Sequence, residues 1–149
     1  MISLKKRASS GFTIIELLIV IVVIGILATL VITTYNGVQQ KARDTKRKTD
    51  INAIDGQLEA YTANNGNYPT LANLNDSTFR TTNMKGLDPN ALQDPKGANN
   101  TVANAPAAKV YSYQPSPTGC DNGAAGDCTS FVLTATLEAG GTYVKNSLN

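Results

Sequence analysis

One acidic side chain, Glu16, stands inside 21 residues that are otherwise uncharged, Phe12 to Ile32 (FTIIELLIVIVVIGILATLVI). A carboxylate inside a bilayer costs on the order of 2.5–3.5 kcal/mol on insertion scales, and such residues usually have a function. The chemistry Glu16 offers is charge pairing. A cation brought into the same apolar medium would neutralise it and fix a register. The plainer alternative is a carboxyl near a helix end that snorkels to the headgroups or stays protonated. Gly11 stands immediately before the apolar run, and Lys5, Lys6 and Arg7 stand before that, with no acid among Met1 to Ser10. This is the layout of a secretory signal, but Ala28-Thr29-Leu30 is a poor match to a small-residue cleavage site. A cut after Gly11 would instead remove the basic leader and leave the apolar helix attached.

Cys120 and Cys128 flank the sequence DNGAAGD. In an exported domain they read as a disulfide, worth roughly 2–3 kcal/mol in the chain-entropy account. Two free thiols are the alternative. The same loop offers Asp121, Asn122 and Asp127 as oxygen ligands for calcium. Their spacing matches no recognised calcium loop, so a solvated turn is the preferred reading and no metal or other cofactor is assigned. Asp88 and Asp94 are the carboxylates available for general acid–base work in an anchored hydrolase. No concentrated polar cluster surrounds them, and no catalytic residue is assigned.

Composition removes several classes of function. The 149 residues include no His and no Trp. His-based acid–base catalysis, Ser-His-Asp and Cys-His nucleophiles and His-ligated zinc are excluded. Two cysteines do not make a Cys-only zinc or iron–sulfur site. A net charge of +2 is too small for nucleic-acid binding through a general basic field. Arg80, Lys85, Lys96, Lys109 and Lys145 are scattered along the polar part. No GxxxxGK[ST] phosphate loop occurs.

These residues need elements to hold them. At about 1.5 Å per residue the apolar run makes a helix of roughly 31 Å, enough to cross a bilayer core. Beyond it, Thr34 to Asn64 has no Pro, and Ile51, Ile54, Leu58 and Tyr61 recur as a helical stripe. Asn64-Asn65-Gly66 followed by Tyr68-Pro69 is a stop signal. The pattern predicts one helix from about Phe12 to Asn64, roughly 80 Å long. Gly25 and Gly37 are its weak points, each costing about 1 kcal/mol against Ala. Lys41 to Asp50 forms a charged waist, read as solvated helix surface in preference to a lipid-headgroup patch. The stretch 65–109, rich in Gly, Pro and Asn, reads as loop with a short helix near Leu87 to Leu92. Strands are expected at Val110 to Gln114, Ser130 to Glu138 and Thr142 to Lys145, with Phe131, Leu133, Ala135 and Leu137 on one face. The fold class is α+β: a long N-terminal helix packed on a small antiparallel sheet. The expected organisation is a leader over 1–11, an apolar helix half over 12–33, an amphipathic half over 34–64 and a head over 65–149, its sheet within 110–145.

Lys5-Lys6-Arg7, then Gly11-Phe12-Thr13-Ile14-Ile15-Glu16-Leu17-Leu18, then an unbroken apolar run, resembles the precursors of type IV pilins and type II secretion pseudopilins. Asn67-Tyr68-Pro69, Asp94-Pro95-Lys96-Gly97 and Val110-Tyr111-Ser112-Tyr113 resemble worn versions of pseudopilin landmarks. The resemblance implies cleavage by a prepilin peptidase between Gly11 and Phe12, N-methylation of Phe12, and a role for Glu16 in assembly. It implies a non-enzymatic subunit that forms a helical homopolymer in a type IV pilus or type II secretion-like filament. It implies membrane lipid, an assembly-platform membrane protein and a separate cytoplasmic ATPase as partners. The chain would start as a single-pass inner-membrane protein with its head exported, then enter a surface, periplasmic or extracellular filament. Two family features are missing: a Pro near the end of the apolar stretch and a Trp near Asp94-Pro95-Lys96-Gly97. Basic residues flank the helix on both sides, three before it and Lys41, Arg43, Lys46, Arg47 and Lys48 after it. The bare count does not orient the chain. The closeness of the first group and the cysteine pair favour an exported head. The alternative function is a membrane-anchored extracytoplasmic binding module that does not polymerise.

Overall fold

The structure, a computed structural model, describes residues 11–148. The leader residues before Gly11, with Lys5, Lys6 and Arg7, lie outside the described residues. The elements are α1 (Ile14–Asn65), α2 (Leu71–Asn75), α3 (Ser77–Asn83), β1 (Ser112–Ser116), β2 (Ser130–Thr136) and β3 (Thr142–Asn146). The chain divides into two compact units, and the boundary falls inside α1 between Val38 and Gln39.

In the first unit every described residue from Gly11 to Val38 is exposed. The helix is long and apolar enough to cross a membrane. Helical structure is continuous through Gly25 and Gly37, since neither lacks an amide donor. The hydroxyls of Thr29, Thr33 and Thr34 donate back to the carbonyls of Ile26, Leu30 and Leu30, at 2.7, 3.0 and 3.0 Å. Each polar group is thereby satisfied within the helix, which an apolar surrounding requires.

In the second unit α1 buries Ile51, Ile54 and Leu58 completely. Thr62, not Tyr61, takes the next buried place. Tyr61 is half-buried, its ring 5.4 Å from that of Phe79. The helix ends at the expected stop. Gly66 has φ +81° and its N–H donates to Thr62 O at 2.8 Å. Glycine takes this left-handed C-terminal position without steric cost.

The sheet has order β1-β2-β3 and is antiparallel throughout, with Tyr113 opposite Leu133 and Thr134 opposite Val144. Phe131, Leu133 and Ala135 face the core as their alternation predicts, while Leu137 lies beyond the end of β2. They pack with Tyr68, Leu74, Met84, Leu92, Tyr111 and Tyr113. The Tyr68 and Phe131 rings meet edge to face at 4.9 Å. Pro115 lies in β1, an edge strand, where a missing N–H is tolerated. The architecture is α+β, as expected.

Three local expectations are corrected. The stretch 65–109 is not loop alone: it holds α2 and α3, N-capped by Thr70, which accepts from Asn73 N, and by Asp76, which accepts from Thr78 N. These helices are too short to show a periodic stripe. Leu87 to Leu92 forms consecutive turns in place of a helix, with Leu87 N bonded to Met84 O and Ala91 N to Asp88 O. Strand β1 begins at Ser112, two residues later than expected, after Lys109 at φ +63°.

Candidate functional site

At the start of α1, Thr13 and Glu16 bond reciprocally. Thr13 N and Oγ1 both donate to Glu16 Oε2, at 2.8 and 2.6 Å, and Glu16 N donates to Thr13 Oγ1 at 3.3 Å. This is a capping box: the side chains three residues apart satisfy amides that have no partner in the first helical turn. The carboxylate also lies where the helix dipole is positive. Phe12, directly before it, is 84% exposed. The chain thus presents an apolar N-terminal residue beside an exposed carboxylate. The motif Thr13-x-x-Glu16 could have announced the cap from the sequence.

The charged waist of α1 is solvated on one side only, with Lys41, Lys46 and Lys48 exposed as expected, and the other side is corrected to interior. Asp44, Arg47 and Asp50 are all buried. Arg47, 1% exposed, is the centre. Its Nε and Nη2 donate to Asp94 Oδ2 and Oδ1 at 2.6 and 2.9 Å. Its Nη1 donates to Asp44 Oδ1 and to Glu138 Oε1, each at 2.8 Å. Arg43 holds both oxygens of Glu138 at 2.7 and 2.8 Å, and Lys96 Nζ reaches Glu138 Oε2 at 2.9 Å. Asp44 in turn accepts the backbone N–H groups of Glu138 and Ala139 at 2.9 and 3.0 Å. Asp50 accepts from Lys46 and, at 2.9 Å, from the Tyr111 hydroxyl. Asp44, Asp94 and Glu138 therefore close on Arg43, Arg47 and Lys96, with the Asp50–Lys46 pair beside them. They tie the helix to the Asp94 loop and to the turn between β2 and β3.

The ionisation of the cluster follows from these contacts. Asp94 raises the basicity of Arg47 despite its burial. Burial alone would push Asp94 and Asp44 up. Arg47 and the Lys96 amide hold Asp94 below its ordinary value, and the amides of Glu138 and Ala139 with Arg47 do the same for Asp44. Arg43, then Lys96, holds Glu138 well below the usual carboxylate range.

Asp94 is accordingly taken up in structure. Asp88 is exposed and accepts the Asn90 N–H at 2.7 Å. The pair weighed as acid and base is not assembled. Cys120 and Cys128 form the expected disulfide, with Cα atoms 5.2 Å apart. The loop they close is built from its own polar groups. Asp121 Oδ1 accepts the N–H groups of Gly123 and Ala125, at 2.8 and 2.9 Å. Asn122 donates to Tyr68 O and accepts from Cys128 N, at 2.8 and 2.7 Å. Asp127 Oδ1 accepts from Asn67 Nδ2 at 3.4 Å. Among the described residues no three His, Cys, Asp or Glu side chains gather as a metal site.

An exposed apolar helix of membrane-crossing length, opened by a capped Glu and leading into a small α+β head, defines the class of protein. Residues 6–32 match the prokaryotic N-terminal methylation motif, and residues 34–132 match the family model of type II secretion system (T2SS) protein G. The chain belongs to the T2SS protein G family. It is 43% identical over 67 residues to the type II secretion system core protein G of Aeromonas hydrophila, covering 45% of this chain and 47% of that protein. Against the protein of the same name from Escherichia coli K12 the identity is 43% over 60 residues, 40% of this chain and 41% of the relative. The Pseudomonas aeruginosa protein is 40% identical over 67 residues, with 45% and 47% covered. The chain spans a little under half the length of these curated relatives. No solved structure matches it.

Proposed function

We propose that the protein is a pseudopilin: a non-enzymatic structural subunit of a type II secretion filament, polymerised through α1. The observation that carries this is the apolar half of α1, exposed at every residue from Phe12 to Ile32 and preceded by the methylation motif. Surface of this kind is stable only in lipid or against other helices. In this reading a prepilin peptidase cuts between Gly11 and Phe12, and the new Phe12 amine is methylated. Glu16 of one subunit then pairs with the Phe12 amine of the next, which neutralises both groups in an apolar filament core. The assembly platform and a cytoplasmic ATPase supply the force, and the head is exported from the inner membrane. The head's task is rigidity. The Arg47 cluster fixes the loop carrying Asp94 and the turn carrying Glu138 on one helix. Asp121 and Asp127 remain candidates for calcium only as a secondary reading of the disulfide loop.

Intact-mass measurement of the native protein tests the proposal. Loss of Met1 to Gly11 with gain of one methyl group, in protein recovered as filaments, is the expected result. An untrimmed, monomeric chain would support an anchored binding module instead.

A further inference from the structure

The head contains three arginines among its described residues, and two of them hold carboxylates in the same way. Arg47 grips Asp94 through Nε and Nη2, and Arg43 grips Glu138 through Nε and Nη2. This edge of the guanidinium matches the two oxygens of a carboxylate. The third, Arg80 on α3, is 7% exposed and nevertheless has no such partner. Its Nη1 donates to Leu74 O at 2.7 Å, and among the described residues no carboxylate lies within ion-pair distance and no other acceptor meets it. A buried cation left in this state is costly unless something neutralises it. Asp76 is the nearby acid that acts on Arg80, and only at a distance, since its Oδ1 caps the Thr78 N–H.

Arg80 lines a cleft of about 350 Å³, a volume within the usual range for small-ligand sites. Met84 and Leu87 give the cleft an apolar wall, and Lys85 and Asp88 add one charge of each sign. Lys85 forms no ion pair among the described residues. The sealed, unpartnered polar atoms among the described residues are Asn100 Oδ1 and Ser112 Oγ. The free nitrogens of Arg80 are not of that kind and so are not sealed from solvent, and the residue lines the cleft. Among the lining residues Arg80 and Lys85 are positive and Asp88 negative, one net positive charge, while Asp76 acts on Arg80 from outside the lining.

We propose that this cleft is a carboxylate-binding site in which the Nε–Nη2 edge of Arg80 takes both oxygens of a monocarboxylate, Lys85 adds a second cation, and Met84 and Leu87 receive a short aliphatic arm. The charge balance selects a monoanion over a phosphate dianion. The ligand is a free aliphatic acid or the acidic side chain of a polypeptide, which share this chemistry.

The test uses the full chain in non-ionic detergent micelles, with the arginine Nε–H resonances followed by NMR. Sodium propionate is titrated at constant ionic strength against sodium chloride and inorganic phosphate. The expected result is a saturable shift of the Arg80 Nε–H with propionate, while Arg43 and Arg47 stay fixed. Lys85→Gln should weaken the binding about tenfold, the usual scale for one charge-assisted contact. Arg80→Lys, which keeps the charge but lacks the planar edge, should abolish the saturable shift of the Met84 and Leu87 backbone amides, which line the same cleft and are followed in both proteins. Two short blocked peptides, one with a central Glu and one with Gln, separate the sources. Tighter binding of the Glu peptide than of propionate assigns a polypeptide side chain, and equal or weaker binding assigns a free acid. Absence of a saturable Arg80 shift, or tighter binding of phosphate than of propionate, overturns the proposal. If Arg80→Lys does not fold, unchanged affinity in Lys85→Gln, a substitution on an exposed residue, overturns it equally.

Discussion

Arg47 and Asp94 are 47 residues apart in the chain, yet the Arg47 guanidinium meets both Asp94 oxygens at 2.6 and 2.9 Å in the head interior. Each side chain is 2% exposed, so neither charge has water to fall back on. Exchanging a whole buried cluster for apolar residues can be neutral, but removing one member leaves uncompensated charge. Arg47→Met would strand Asp44 and Asp94 and free the turn at Glu138. The expected loss is about 3–5 kcal/mol of head stability. Urea unfolding followed by tyrosine fluorescence measures it. A loss below about 1 kcal/mol would show that the cluster is structurally idle.

The same cluster sets the acid limit of the head. Asp44, Asp94 and Glu138 have folded values held below their unfolded ones. Such groups contribute stability that is present above the unfolded value, about 3.9 for Asp, and is lost as pH falls through the folded value. The melting temperature should therefore be level near neutrality and fall below about pH 4. Arg47→Met should flatten this dependence.

At the alkaline end the sign reverses. Burial, with Glu59 beside it, pushes the Tyr68 hydroxyl up to about 12. Burial raises Tyr111 and Tyr113 as well. A raised value gives stability that is complete below the unfolded value of about 10 and lost above it. Head unfolding should set in above about pH 10 and coincide with the tyrosinate absorbance change. Ionisation of more than three of the six tyrosines in a head that stays folded would contradict the buried placement of Tyr68, Tyr111 and Tyr113.

Much of the architecture was legible in the residues because it rests on local signals. The Asn65-Gly66 stop, the alternation through Phe131 and Leu133 and the two cysteines each declare themselves over a few positions. Short helices α2 and α3 did not, since five and seven residues show no period. The Arg47 cluster was hidden for another reason. A run of charges reads as solvated surface, although Asp44, Arg47, Ile51, Ile54 and Leu58 continue one buried stripe at spacings of 3, 4, 3 and 4. What the stripe could not show is which distant carboxylates, Asp94 and Glu138, meet Arg47. That depends on the chain's return through loops.

Gly97 tests the close approach beneath this cluster. A Cβ built there would lie 2.6 Å from Lys109 O and 3.2 Å from Asp94 Cβ. The first neighbour is backbone and does not swing away. Gly97→Ala should therefore cost about 1–3 kcal/mol by forcing apart two loops. Gly37→Ala, where nothing lies within 4 Å, should be neutral or stabilise the helix by up to about 1 kcal/mol. Thermal melts of both variants against the parent check the contrast, and equal behaviour of the two would count against the packing at Gly97.

Cys120→Ser and Cys128→Ser should each lower head stability by roughly 2–3 kcal/mol, and the double variant by no more. One bond serves both residues, so the second loss is already incurred. Cys128 is fully buried and its carbonyl accepts the Tyr68 N–H at 2.8 Å, so the effect should reach the Tyr68 ring and its contact with Phe131. Denaturant unfolding and near-ultraviolet circular dichroism provide the readouts. Additive losses in the double variant would mean that the two side chains act separately.

Glu16 caps the helix, and separate substitutions distinguish that role from the proposed one in assembly. Within the chain its carboxylate caps the helix by accepting from Thr13 N and Oγ1. In the proposed filament its charge pairs with the Phe12 amine of a neighbour. Glu16→Gln keeps an oxygen that can serve the capping box but removes the charge. Thr13→Ala keeps the charge but removes the cap, at about 0.5–2 kcal/mol of local helix stability. If assembly depends on the charge, Glu16→Gln should insert, trim and fold normally yet form few filaments, because the unpaired amine stays in the apolar core at a cost of several kcal/mol. Thr13→Ala should then assemble at close to the parental level. Wild-type subunits mixed with Glu16→Gln should partly restore filaments, since each contact needs one carboxylate from one side. Sedimentation and electron microscopy of sheared filaments measure the yield. Abundant filaments from Glu16→Gln together with failure of Thr13→Ala would reverse the assignment and leave Glu16 as a helix cap alone.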